Sequence, residues 1–157
     1  MNRTADKSGP VRLFIAGTFD GLHIGHLHLF QFAHREGAKM ARKLGRKGTH
    51  LTVTVARDES VRRIKGRRPL QTQEERRSLV GALREVDQAF VGHAMDFTRS
   101  VRRARPDLIV LGYDQSLAWE EVLRRSGFDV PLVRCPEYSK RRLKTSMFRT
   151  DMERLPT

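Results

Sequence analysis

A single cysteine, Cys135, is all the thiol chemistry in this 157-residue chain. One cysteine excludes an intramolecular disulfide and argues against a cysteine-based zinc site. Cys135 itself reads as a small, partly buried residue after a strand. Long apolar runs are missing too. None approaches the roughly 18 residues needed to span a bilayer, so no membrane partner is expected. The first residues lack the apolar core of a secretory signal, and the expected compartment is the cytoplasm. Acidic residues are scarce: 18 Asp and Glu stand against 31 Lys and Arg, a net charge of +13. Aromatics make up only 7%. They do not interleave with basic pairs such as Arg62-Arg63 or Arg102-Arg103 in the way that stacks bases, which disfavours nucleic acid as a partner. The surplus charge is dispersed, a background that draws polyanionic small molecules.

What is present is an alternation of strand and helix patterns. Apolar or β-branched runs at 11–16, 51–56, 86–91, 107–111 and 130–133 read as strands. Helices are expected at about 25–44, 72–84, 96–105 and 117–126, with another opening at Thr145 or Ser146. Phe30, Ala33, Gly37, Met40 and Leu44 form a stripe at helical spacing that should face the core, and Gly45 is the C-cap. Thr72 and Glu75 have the spacing of a capping box. Residues 57–70 read as a basic loop with one helical turn. The pattern predicts a Rossmann-like, three-layer α/β/α domain with a parallel sheet over residues 11–157, preceded by a flexible tail, 1–10.

The densest chemistry lies between the first strand and the first helix: Gly17-Thr18-Phe19-Asp20-Gly21-Leu22-His23-Ile24-Gly25-His26. Free backbone N–H groups and the positive end of a helix dipole make such a bend a phosphate site. His23 and His26 fall on one side of a first helical turn, so two imidazoles address the same anion. Arg57-Asp58 and Gly112-Tyr113-Asp114 follow other strands. In a parallel sheet these segments converge on one crevice.

This bend resembles the cytidylyltransferase-like nucleotidyltransferases, marked by a strand, Gly-Thr-Phe-Asp and His-x-Gly-His. The resemblance extends over roughly residues 11–150. It implies that Gly17, Thr18, Phe19, His23, Ile24, Gly25 and His26 hold a nucleoside triphosphate, with His23, His26 and Lys65 catalytic. It further implies that Arg76 is a phosphate-binding cation, that Gly112 and Asp114 lie near base and ribose, and that Thr145 and Ser146 grip the outer phosphates. Mg²⁺ is expected to be held mainly by the triphosphate and not by a protein metal site. A homodimer is also implied.

The segments 55–61, 65–69, 86–89 and 111–115 are most similar to archaeal-type FAD synthases, which implies ATP as nucleotide and FMN as phosphorylated acceptor. Cytidylyltransferases acting on glycerol 3-phosphate share the same skeleton and form the alternative. A non-catalytic nucleotide- or nucleic-acid-binding module is the alternative of another class. Residues 37–48 depart from the family's pattern as an insertion or a longer helix.

Overall fold

A computed structural model describes residues 8–94, 96–115, 118–125 and 127–138. The elements run β1 (Val11–Gly17), α1 (Ile24–Leu44), β2 (Thr49–Val55), α2 (Asp58–Lys65), α3 (Gln73–Gly81), β3 (Gln88–Val91), α4 (Phe97–Ala104), β4 (Leu108–Leu111), α5 (Ala118–Arg125) and β5 (Leu132–Arg134). The five strands form one sheet in the order β3-β2-β1-β4-β5, and every pairing is parallel. The Rossmann-like expectation therefore holds.

β1 lies at the centre because it is apolar on both faces. Val11, Leu13 and Ile15 join one core cluster with Phe30, Ala33 and Val80. Phe14 points into the other, with Val101, Ile109 and Leu123. Burial on both sides is what a parallel strand with helices above and below requires. The chain proceeds outward from β1 to β3, then returns to β4 on β1's other side. The strand order reverses between β1 and β4, where the loops at their carboxyl ends diverge and leave a crevice.

α1 buries Phe30, Ala33, Gly37 and Ala41. A Cβ on Gly37 would stand 2.7 Å from Leu13 Cδ2 and 2.8 Å from Thr49 Cγ2. That position must be bare for the helix to lie this close to the sheet. The expected stripe needs two corrections: Met40 is only partly buried, and Leu44 is 55% exposed. At 3.6 residues per turn, Ala41 takes the core-facing place as the helix reaches its end.

The 37–48 segment is a longer helix. α1 runs unbroken to Leu44, and Gly45 ends it in the left-handed region (φ 65°). Arg46 then folds under the sheet, where its Nη1 donates to Asp107 Oδ2 at 3.0 Å and its Nε donates to the Gly9 carbonyl at 2.8 Å. Asp107 also accepts from the Arg12 backbone N–H at 2.8 Å. These bonds tie the starts of β1 and β4 at the end of the sheet opposite the crevice. Burial opposes ionisation of Asp107, but its Arg12 and Arg46 partners outweigh that and hold its carboxyl below the ordinary range.

Residues 57–70 also require correction. They are not a loop with one turn: α2 spans eight residues. Asp58 and Glu59 lie in its first turn and Arg62, Arg63 and Lys65 in its last, matching the helix dipole. Only Val61 is buried, so the helix carries almost no apolar stripe to betray it.

Candidate functional site

The bend after β1 is stiffened by its own side chains. Phe19 adopts φ 54°, a left-handed conformation that costs a bulky residue about 1–2 kcal/mol. Its buried ring offsets that cost by packing 5.2 Å from His26 and 5.5 Å from Phe30, centroid to centroid. The same ring explains Gly17, where a Cβ would lie 2.8 Å from Phe19 Cζ. Asp20 is buried, and its carboxylate accepts from the backbone N–H groups of Leu70 and Gln71 at 2.9 and 3.0 Å. Gln71 returns a bond through Oε1, which accepts from the Gly21 N–H at 3.1 Å. The Thr-Phe-Asp-Gly turn is thereby locked to the segment before α3.

His23 is the N-cap of α1. Its Nδ1 accepts from the Gly25 N–H at 3.1 Å, and His26 Nδ1 accepts from the His23 N–H at 3.3 Å. The two imidazoles thus form a reciprocal cap, stacked at 3.9 Å. A Cβ on Gly25 would come within 2.9 Å of His23 Cε1, so the glycine makes room for the ring. An Nδ1 that accepts a backbone N–H carries no proton. Each neutral ring therefore bears its proton on Nε2, on the edge facing away from the helix, as a donor.

Burial reinforces this state. It pushes the His26 pKa down to about 3, with the charges of His23 and Lys65 adding to the effect. Burial also lowers His23, against an opposing pull from Asp114. Lys65 ends α2 just before the left-handed Gly66. Burial lowers its pKa and Arg67 adds to that, while Asp20 and Asp114 oppose it. These mutual influences place His23, His26, Lys65 and Asp114, from three separate segments, within one electrostatic neighbourhood.

The far wall is the loop after β4. Gln115 Oε1 accepts from the Gly112 N–H at 2.7 Å, and its Nε2 donates to the Ala16 carbonyl at 2.8 Å. Arg134 Nη1 donates to the carbonyls of Gly112 and Gln115 at 2.9 and 2.7 Å. The loop bearing Asp114 is therefore tied to β1 and β5. Neither Gln115 nor Arg134 stands out in the sequence as a site-building residue, since only the fold brings them to the β1–β4 junction.

Between these walls lies one cavity of about 830 Å³. Gly17, Thr18, Phe19, His23, Gly25, His26, Lys65, Gly112 and Asp114 all line it. Arg57, Arg63, Arg67 and Arg68 add positive charge along the α2 side. Ile24 does not line it and is 46% exposed; as the first residue of α1, its side chain turns away from the bend.

Arg76 contradicts the phosphate-cation expectation. It has no exposed surface. Its guanidinium donates to the Thr18 carbonyl at 2.7 Å, the Gln71 carbonyl at 3.0 Å and Asp58 Oδ1 at 2.6 Å. It braces the bend and the start of α2 from behind. Thr145 and Ser146 lie outside the described residues. Cys135, buried beside the cavity, has its pKa pushed up to about 11 by that burial, which leaves an unreactive thiol at neutral pH.

A neutral pair of N–H donors at a helix start, nearby cations and a carboxylate across a deep cavity suit a polyphosphate ester. Comparisons with known proteins agree. The cytidylyltransferase-like family model matches residues 14–151. The FAD synthase of Methanopyrus kandleri is 39% identical over 132 residues, covering 82% of each chain. That of Aciduliprofundum boonei is 41% identical over 131 residues, covering 82% of this chain and 80% of its own. That of Pyrococcus horikoshii is 36% identical over 141 residues, covering 87% and 88%. A solved structure, a lipopolysaccharide core biosynthesis protein from Thermoplasma volcanium, superposes with a TM-score of 0.70 at 34% identity over 83% of this chain and all of its own. With the bend, the sheet order and these matches in agreement, the chain belongs to the cytidylyltransferase-like family and is a nucleotidyltransferase.

Proposed function

We infer that this protein is an FMN adenylyltransferase that joins ATP and FMN to give FAD and pyrophosphate. The reading is carried by relatives named FAD synthase in three archaea, at 36–41% identity across four fifths or more of both chains. A cavity of about 830 Å³ supports it, being near the upper end of the roughly 300–1,000 Å³ typical of small-molecule sites.

In this reaction an FMN phosphate oxygen attacks the α-phosphorus of ATP, and the bond to the pyrophosphate oxygen breaks on the opposite side. Positioning and charge stabilisation carry such a transfer, with no covalent enzyme intermediate. The Nε2–H groups of His23 and His26 donate to phosphate oxygens as charge accumulates. They need no proton uptake to do so, because their Nδ1 atoms are occupied by the helix cap. The positive end of the α1 dipole favours the same charge. Lys65 contributes a cation, and Asp114 accepts from a ribose hydroxyl. Among the described residues no three His, Cys, Asp or Glu side chains converge as a metal cage. Mg²⁺ would be held mainly by the triphosphate and water, where it would neutralise charge on the leaving group.

No described helix is long and apolar enough to cross a membrane, and a reaction fed by free ATP belongs in the cytoplasm. The family resemblance favours a homodimer, which light scattering would report as twice the 18.1 kDa chain.

The decisive assay supplies Mg²⁺, FMN and each nucleoside triphosphate in turn, and follows FAD and pyrophosphate. FAD formed with ATP is the expected result. No FAD, with pyrophosphate released from CTP and glycerol 3-phosphate, would assign a cytidylyltransferase instead. No turnover at all, with steeply salt-dependent polynucleotide binding that survives His23→Ala plus His26→Ala, would assign a binding module.

A further inference from the structure

The cavity contains a second polar centre that the phosphate chemistry does not use, beyond the carboxyl ends of β2 and β3. Thr54 on β2 is only 4% exposed, yet its Oγ1 has no hydrogen-bond partner. A buried hydroxyl without a partner destabilises the fold that keeps it. Ser100 on α4 is 1% exposed, and its Oγ accepts from the His93 N–H at 3.4 Å, which leaves its own proton to donate. Gly92 lies between the two. A Cβ there would stand 2.8 Å from Thr54 Cγ2 and 3.5 Å from Ser100 Oγ, so only a glycine fits between the two hydroxyl-bearing residues.

Arg57 Nε and Ser60 Oγ donate to the Gly92 and Ala94 carbonyls at the rim, and the remaining walls are apolar. Phe97, one turn before Ser100 on α4, meets Trp119 edge to face with centroids 3.4 Å apart. Ile64 on α2 is 82% exposed although it borders the same cavity. Hydroxyls at the base and flat or branched apolar walls fit a planar ring with a polar edge. Glycerol 3-phosphate offers hydroxyls to that base but no flat ring to meet those walls.

We propose that Thr54 and Ser100 recognise the imide edge of a flat heteroaromatic acceptor, whose ring system lies between Phe97 and Ile64. The assignment rests on the FMN reading above and names the residues that select the ring. Each hydroxyl can donate to a ring carbonyl or accept from the ring N–H. The acceptor's phosphate is then left to reach toward the histidine bend.

The test uses the full chain with Mg²⁺ and ATP, comparing wild type, Thr54→Val and Ser100→Ala. Loss of one such bond should raise the KM for FMN by about 10-fold, with the KM for ATP nearly unchanged. Thr54→Val should melt no lower than wild type, because it removes an unpaired buried polar atom. Riboflavin, which has the ring but no phosphate, should inhibit competitively against FMN and lose potency in both variants in the same proportion. Glycerol 3-phosphate should not compete. Unchanged KM for FMN and unchanged riboflavin inhibition in both variants would overturn the assignment while leaving the enzyme's function intact. Wild-type protein that makes no FAD would overturn the underlying reading and this assignment with it. Should Thr54→Val not fold, Ser100→Ala gives the same comparison alone.

Discussion

Removing the Arg76 guanidinium separates two roles that the sequence cannot tell apart. In Arg76→Met the stem's volume stays and three bonds vanish: those to the Thr18 carbonyl, the Gln71 carbonyl and Asp58. Asp58 is 41% exposed on its side chain, so water compensates much of its loss. The two carbonyls face a site that was fully enclosed. Leaving two carbonyls without their donor typically costs about 1–3 kcal/mol each, about 2–6 kcal/mol together. At about 2–4 °C per kcal/mol for a chain this long, the melting temperature should fall by about 4–24 °C. Arg76→Lys should recover only part, since one ammonium cannot span three partners. Thermal and urea unfolding, with steady-state kinetics at a temperature where both proteins are folded, measure this. A melting temperature within about 2 °C of wild type, together with a raised KM for ATP, would refute the bracing role and restore the phosphate-binding one.

His23→Asn keeps a good N-cap residue but removes the outward donor. It should lower kcat/KM by about 10²–10³ while changing stability by less than about 1 kcal/mol, as kinetics and melting would show. The pKa of His26 is lowered from the ordinary 6.5 to about 3. Between those values the unfolded chain takes up a proton that the folded chain refuses, so stability falls as pH falls, by at most about 1.4 kcal/mol per unit. Urea unfolding of wild type and His26→Asn at pH 7 and 4.5 should show wild type losing more; parallel losses would contradict the neutral imidazole. Gly25→Ala should displace the His23 ring and lower kcat by about 10- to 100-fold through misplacement alone, without unfolding α1. Full activity would show that the ring's position does not matter.

The elements with strong periodicity are legible from residue type and spacing. β1 and β2, α1 with its Gly45 stop, and the Thr72–Glu75 cap follow from burial, left-handed glycine and local hydrogen bonding, which act within a few residues. The histidine bend is legible for the same reason: its cap, its stacked rings and its two crowded glycines are local. α2 is not, because one buried valine provides no period to read. Asp20 looks like part of a turn in the sequence; its partners, Leu70 and Gln71, lie fifty residues away. Arg76 and the pair Thr54–Ser100 share that obstacle. Composition reports that a residue is charged or polar, but not which carbonyls will encircle it or which will be left without a partner.

Sequence alone determined the strand–helix alternation, the histidine bend and the family, since each depends on short-range sterics and spacing. Only the tertiary structure decided which cations face the cavity, which tautomer the histidines hold, and that Arg76 braces the site from within. Those outcomes depend on desolvation and on hydrogen bonds between distant segments, and neither exists until the sheet has closed around β1.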